Sequence, residues 1–436
     1  MSDVSALASE LVDRVSDRPI GPCRLIVLPF ESSGLVTIAG SVASYPDPAA
    51  GDDQVQAIIA ALLDKGTRRR DRYAIARTLE SIGAERSYSS EPARTRFAAR
   101  CLKKAVGSLI GIVSEELREP LFEPRQFDLL RQRVAGELRQ SMQNTGVLAH
   151  DALCRHWFDA GHPNHARPVP MELDLLARTD VEVIRSLHAA GLGSDDMILV
   201  IVGDVKPDAV AAVVAREFGT WRGAGTAARF KTSTRSHGRL QREEILVPGK
   251  PSIDVSIGHG LRLTRRDAPF IPLLLGNFVL GGNFSSRLMQ TIRDEMGLTY
   301  GIRSDLSGVS VHYDMLWNIR VTLSTGALDR GLNAIHDLVA TFVENGVTDR
   351  ELERARETMT GSYLVRQDSS ASMARRLLLN SERGYPLRQL ADYPAELAAV
   401  KREEVNESLR RYVRPKEMSI AAAGTINRGG SNGSRD

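Results

Sequence analysis

Four segments of the first half of the chain recur, in the same order, about 220 residues later. Leu25-Ile-Val-Leu-Pro29 is echoed by Ile245-Leu-Val-Pro248. Each is followed by a short turn and an alternating apolar stretch, Leu35-Val-Thr-Ile-Ala-Gly-Ser-Val42 in one half and Ile253-Asp-Val-Ser-Ile-Gly-His-Gly260 in the other. Glu123-Pro-Arg-Gln-Phe127 opens a long charged helix, and Thr348-Asp-Arg-Glu-Leu352 opens its counterpart. Near the end of each half, Asp180–Leu187 leads into Met197-Ile-Leu-Val-Ile-Val-Gly203, as Arg402–Leu409 leads into Met418-Ser-Ile-Ala-Ala-Ala-Gly424. One such match is chance. Four in order mean two copies of one fold.

Each half reads as strand, strand, a long helical stretch and a closing helix–strand pair. Helices with a single apolar face need a sheet to cover, so the pattern predicts an α+β protein of two homologous halves, each a mostly antiparallel sheet covered by helices. The length of 436 residues suits two lobes, since single cores stop growing near 250–300 residues and domains run to roughly 200. The expected boundaries are 1–222 for the first half, 223–240 for a Gly-, Ser- and Arg-rich linker and 241–427 for the second half. A Gly- and Ser-rich tail, 428–436, is expected to be disordered.

Charge excludes some partners. With 57 Lys and Arg against 54 Asp and Glu the formal charge is +3, too weak a field for general binding to nucleic acid or a membrane surface. The longest apolar runs, Ala57–Leu63 and Ala209–Ala215, have seven residues each, whereas a spanning helix needs about 20. Cys23, Cys101 and Cys154 are odd in number and far apart, which argues against a disulfide framework. The first residues show no cationic stretch followed by an apolar one. These features point to a cytoplasmic protein, or a periplasmic one if an export signal has been trimmed away.

The second half contains Leu280-Gly-Gly-Asn-Phe-Ser-Ser-Arg-Leu288 followed by Ile292-Arg-Asp-Glu-Met-Gly-Leu-Thr-Tyr300. This run resembles the C-terminal half of the insulinase/pitrilysin-like (M16) zinc peptidases, which carry Gly-Gly-x-Phe-Ser-Ser-Arg-Leu and then Arg-x6-Tyr. Leu62-Leu-Asp-Lys-Gly-Thr67 resembles the segment that follows their zinc-binding helix. The resemblance covers nearly the whole chain and implies the metallohydrolase fold shared by LuxS and the mitochondrial processing peptidase.

The departure from that family is equally specific. Its active members carry His-x-x-Glu-His just before the Lys-Gly-Thr segment. Positions i and i+4 share a helix face, so two imidazoles reach one zinc while the Glu polarises the bound water. Counting back from Lys65, the three positions are Ala57, Ala60 and Ala61. A methyl group offers neither a lone pair nor a proton acceptor. Glu137 stands where the third ligand of the family falls, but one carboxylate falls short of the three protein ligands of a catalytic zinc. Its neighbours Arg133 and Arg139 suggest an ordinary charged helix face. His162-Pro-Asn-His165 reads as a turn rather than a ligand pair, and His150 and His156 do not share a helix face. The resemblance therefore implies no zinc in this chain.

Arg293 and Tyr300 are the residues for which the resemblance implies chemistry. A helix is expected from Ser285 to Glu295, capped by Asn283 or Ser285 and ended by Gly297, with Tyr300 beginning the next strand. In active relatives this Arg/Tyr pair reaches across to the zinc half and contacts peptide carbonyls and the developing oxyanion. A guanidinium and a phenol are suitable donors for that charge. The alternative is that Arg293 pairs with Asp294 or Glu295 and Tyr300 merely packs. Gly281, Gly282, Asn283 and Phe284 read as a turn that lets an extended peptide approach closely. Arg68-Arg-Arg70 reads as a solvated face, or as a patch that draws an acidic peptide.

The expectation is half of an active site: a non-zinc-binding subunit of a heterodimeric M16-type peptidase. A homologous partner would carry His-x-x-Glu-His and the zinc, and an extended peptide would bind by strand addition at a sheet edge. Implied substrates include targeting peptides, bacteriocin-like peptides and the peptide precursor of pyrroloquinoline quinone. The competing expectation is an inert scaffold resembling the core subunits of respiratory complexes.

Overall fold

The computed structural model describes residues 10–31, 34–44, 46–193, 195–223, 230–235, 242–366 and 369–426. The expected tail, 428–436, lies outside the described residues, as do 224–229 and 236–240 of the expected linker.

The first repeat contains β1 (Ser16–Ile20), β2 (Cys23–Pro29), β3 (Leu35–Ala43), α1 (Asp52–Leu62), α2 (Arg72–Ser81), β4 (Glu85–Glu91) and β5 (Arg94–Leu102). It continues with α3 (Val106–Arg118), α4 (Pro124–Ser141), α5 (Thr145–Trp157), α6 (Val169–Arg178), α7 (Val181–Gly191), β6 (Met197–Gly203) and α8 (Pro207–Phe218). The second repeat contains β7 (Arg242–Leu246), β8 (Ser252–Leu261), α9 (Phe270–Gly281), β9 (Ile302–Ser307) and β10 (Met315–Ser324). It closes with α10 (Leu328–Asn345), α11 (Asp349–Val365), α12 (Ser370–Glu382), α13 (Gln389–Ala399), α14 (Arg402–Tyr412) and β11 (Ser419–Gly424).

The duplication read from the sequence is present in the sheets. One has the order β1-β2-β6-β3-β5-β4 and the other β7-β11-β8-β10-β9. Apart from the added hairpin strand β1, the two orders are the same. In each sheet the first and last strands of the repeat pair in parallel, β2 with β6 and β7 with β11, and the other pairings are antiparallel. Even the closing glycines correspond. Gly203 faces Val36 and Gly424 faces Ile253, at φ 152° and 154°. A Cβ at either would lie 2.6 Å from a backbone oxygen of the neighbouring strand, so both ends admit only glycine.

The sheets follow the sequence repeats, but the compact bodies do not. One unit comprises Met1–Gly136, Glu172–Phe230 and Met359–Ala398, and the other Glu137–Met171, Lys231–Thr358 and Ala399–Asp436. Relative to the contiguous boundaries expected from the sequence, one helical segment is exchanged in each direction. In the first unit, Met373, Ala374, Leu377 and Leu378 of α12 pack with Ile26, Leu28, Ile198, Val200 and Val202 of the sheet. In the second, Ala152, Leu153, Cys154 and Trp157 of α5 pack with Leu316 and Ala421. The first turn of each exchanged helix is fastened to the equivalent place on its sheet. Ser370 and Thr37 hydroxyls lie 2.9 Å apart, and the Thr145 hydroxyl donates to Asp254.

Two buried histidines are part of this core. His259 accepts from Arg414 N–H at Nε2 and faces Gly260 O with Nδ1, and burial holds its pKa down to about 3. His162 stacks on Phe158 in the turn foreseen for it, and burial lowers it to about 4. No helix among the described residues is long and apolar enough to cross a membrane.

The exchange has a direct consequence for fragments. Cut between 224 and 229, the chain yields two pieces that each lack the helix covering their own sheet. Exposing Met373, Leu377 and Leu378 alone forfeits about 5–8 kcal/mol of burial, comparable to the whole stability of a domain. The pieces are expected to be aggregated or molten when expressed singly, and to co-purify with one cooperative melt when co-expressed. Circular dichroism and co-purification read the outcome.

Candidate functional site

Helix α1 carries Ala57, Ala60 and Ala61, the positions at which the sequence resemblance leads one to expect His-x-x-Glu-His. It ends in a tight turn, Leu63–Lys65, and Gly66 at φ 124° swings the chain into Thr67. Ala57 is exposed, Ala60 is buried and Ala61 half-buried. Nothing on these side chains donates to a metal, so the residues do not fit zinc. Glu137 is an exposed residue of α4. Among the described residues no group of three His, Cys, Asp or Glu side chains is arranged to hold a metal ion.

Ion pairs hold this region. Glu115 on α3 takes the Arg70 guanidinium and the Thr67 hydroxyl. The next residue, Glu116, has a fully buried side chain and accepts from Arg86 at 2.7 Å and from the Tyr88 hydroxyl at 2.6 Å. Burial pushes its carboxyl up, against the pull of Arg86. Arg69 forks onto Glu119 with both contacts at 3.0 Å. Two of the three consecutive arginines are thus committed to carboxylates of this unit.

The second unit contains a cavity of about 810 Å³. Gly281, Gly282, Asn283, Phe284 and Tyr300 all line it, so the structure gathers five of the six residues singled out in the second half. The glycines have a packing reason: a Cβ would lie 2.5 Å from Ser304 N at Gly281 and 2.7 Å from Phe278 Cα at Gly282. Asn283 Oδ1 accepts from Ser285 N–H and Asn283 O from Ser286 N–H. That turn delays the helix expected from Ser285. What forms instead is a π-helical segment, Met289–Glu295, a widened turn often found at functional sites. Gly297 at φ 64° ends it as expected.

Arg293 sits in this π segment with its side chain 38% exposed, 3.6 Å from Asp294 and 5.5 Å from the centroid of Phe284. It reaches the site by stacking on Phe284 rather than by lining the cavity. Tyr300 does not pack: it is 99% exposed, and Phe284 is 76% exposed. Tyr300 lies in a bend two residues before β9 rather than in the strand.

The far walls were not foreseen. They carry His150, Asp151, Asp254, Arg303, Asp305 and Arg320. The available signal was Asp254, the one charge in strand residues 253–257. His150 Nε2 is 3.6 Å from Cys154 Sγ, and its Nδ1 is 3.5 Å from Asn318 Nδ2. This has the residue types of a thiol hydrolase, but burial pushes the thiol up to about 12 and the imidazole down. The pair is a neutral thiol beside a neutral ring, not a nucleophile. Strand β9 is a sheet edge, yet Ile302 N–H is spent on Met289 Sδ and Ser304 O on Asn277. Strand addition is closed at those two groups.

Residues 58–165 match the family model described as insulinase (peptidase family M16), and residues 179–359 match the peptidase M16 inactive domain. The chain belongs to the M16 peptidase family. The uncharacterized zinc protease YmxG of Bacillus subtilis is 24% identical over 82% of this chain and 85% of its own length. The non-peptidase homolog YmxG of Helicobacter pylori is 22% identical over 84% of this chain and 83% of its own. The crystal structure of a peptidase M16 inactive domain from Pseudomonas fluorescens superposes with a TM-score of 0.83 at 20% identity, covering 94% of this chain and 97% of that one. This M16 chain has alanines at 57, 60 and 61, the positions at which the sequence resemblance leads one to expect the zinc-binding motif.

Within its M16 signature, Arg287 is structural. Its guanidinium forks onto Glu351 with two contacts of 2.8 Å and donates to Gly346 O. Glu351 Oε2 also accepts from Thr348 N–H while Glu351 N–H donates back to the Thr348 hydroxyl, a capping box that starts α11. Burial opposes ionisation of Glu351, but the Arg287 and Thr348 hydrogen bonds prevail and lower it from 4.5 to about 2. A depressed carboxyl stabilises the fold above its unfolded pKa and loses that contribution as pH falls from 4.5 towards 2. Glu351→Gln is expected to cost on the order of 3 kcal/mol at pH 7. In urea titrations the difference from wild type should shrink through that acid window.

Proposed function

We propose that this chain is the non-zinc-binding subunit of a two-chain M16 metallopeptidase. Its partner is a homologous subunit carrying His-x-x-Glu-His and the zinc, and the pair cleaves extended peptides. A peptide precursor of a small cofactor such as pyrroloquinoline quinone is one substrate of this kind. The supporting observation is a pairing: alanines at 57, 60 and 61, where the resemblance sets His-x-x-Glu-His, and a phenol that its own chain leaves 99% exposed. Burying an aromatic ring of this size is worth about 1.5–3 kcal/mol. A tyrosine that forgoes this gain is available to something outside the chain.

In this reading Tyr300 and Arg293 donate to the scissile carbonyl oxygen as negative charge develops on it. Phe284 holds the guanidinium by stacking. The charge at Asp294 is a weak competitor, since an exposed ion pair contributes at most about 1 kcal/mol. The second reading, an inert scaffold, is favoured by that same Arg293–Asp294 contact and by the absence of Arg293 from the cavity lining.

Reconstitution with a zinc-bearing partner separates the two. Arg293→Ala and Tyr300→Phe are each expected to lower kcat by about a hundredfold, with KM little changed, as when one oxyanion donor is lost. Unchanged turnover in both variants assigns the chain to the scaffold class. The single chain, freed of any partner, is expected to show no peptide hydrolysis.

A further inference from the structure

We infer that the cavity of the second unit is a receptor for a cationic group carried by a peptide, with Asp254 as its counter-charge. The group is a lysine or arginine side chain or a free N-terminal ammonium. The inference rests on the proposal that the chain handles extended peptides, and it assigns that substrate a chemical class.

The charges on the walls lead to it. Three carboxylates, Asp151, Asp254 and Asp305, face two guanidiniums, Arg303 and Arg320. Both guanidiniums converge on Asp305, at 3.3 and 2.5 Å. Asp254 receives only neutral hydroxyls, Thr145 on Oδ2 and Thr322 on Oδ1. These fix its orientation and leave lone pairs for a charged donor, since a carboxylate accepts about four hydrogen bonds. Burial holds His150, another lining residue, below the ordinary histidine range, which disfavours a positive charge on its ring.

The structural reading of Asp254 is that it anchors the first turn of α5, whose N-terminus favours a negative charge. The other repeat shows that the anchor needs no charge. There the equivalent residue is Thr37, fixed by strand pairing with the equivalent glycine, and it holds α12 through a neutral hydroxyl pair with Ser370. Thr37 is buried, whereas Asp254 is half-buried on a cavity wall. The carboxylate exceeds what the fold requires, and it is placed where a ligand can reach it. Across the cavity mouth, the exposed Tyr300 ring offers a π face to a passing ammonium or guanidinium.

Calorimetric titration of the purified single chain tests this without partner or zinc, so its result is independent of any turnover measurement. The probes are short Gly/Ser peptides, capped at both ends, with a central Lys, Arg, norleucine or Glu. An uncapped peptide without Lys or Arg isolates the N-terminal ammonium. The Lys or the uncapped peptide is expected to bind at least about tenfold tighter than the norleucine peptide, and the Glu peptide weakest. Asp254→Asn and Asp254→Thr should abolish the preference while norleucine binding stays as it was. Asp254→Thr borrows the solution of the first repeat and keeps the helix anchor, and a melting curve confirms the fold. Equal binding of the Lys, uncapped and norleucine peptides, no binding of any peptide, or a preference that survives Asp254→Thr overturns the inference.

Discussion

Each sheet of this protein is covered by a helix that the other repeat supplies. Everything else depends on that reciprocal burial. Helix α5 leaves the first repeat to lie on the second sheet, and α12 makes the return exchange. A sheet face without its helix exposes a continuous row of Ile, Leu and Val. Burial of the α12 side chains offsets a large part of the chain entropy that folding must overcome. The exchange also builds the cavity: Asn144, Gly146, Val147, His150 and Asp151 reach the second unit only because α5 does. A chain containing one repeat would have neither a closed core nor this pocket.

The same logic explains how zinc ligands can be absent without loss of fold. Helix α1 needs apolar contacts through Val55, Ile58, Ile59 and Leu62, all buried. It does not need imidazoles. Alanine is the best helix former, so Ala57, Ala60 and Ala61 keep the helix while offering no donor to a metal. Around them, the Glu115 and Glu116 pairs tie α3 to β4 and to the Lys-Gly-Thr turn. The fold of this half is thus held without any group of His, Cys, Asp or Glu side chains arranged for a metal among the described residues.

Much of the fold was legible because it rests on apolar strands. The runs at 35–42 and 253–260 are β3 and β8, buried along nearly their whole length rather than on alternate residues, and the Gly203 and Gly424 strand ends fall in equivalent places. The exchange of α5 and α12 was not legible, because an amphipathic helix shows which face it buries but not which sheet it buries it against. The π segment was equally hidden. The later start of the helix follows from Asn283 accepting from Ser285 N–H, a local competitor to helix initiation that no hydrophobic period reports. Gly281 and Gly282 were read as room for a ligand, yet close packing on Ser304 and Phe278 accounts for both. Of the site, Tyr300 and the 281–284 loop were found through their motif. Arg320 joins the cavity through tertiary structure alone, and Asp254 shows in the sequence only as a charge within its strand.

A duplicated chain supplies its own comparison. Where the two repeats keep the same residue or the same geometry, as at Gly203 and Gly424, backbone sterics explain it. Where they diverge at equivalent positions within one architecture, the fold tolerates either residue and something other than folding selects between them. Thr37 and Asp254 are such a pair: both anchor the first turn of an exchanged helix, one neutral and buried, the other charged and facing a cavity. The second repeat sets its charged anchor in the lining of a cavity that the exposed Tyr300 shares. The asymmetry singles out the second unit, where Asp254 and Tyr300 line one cavity.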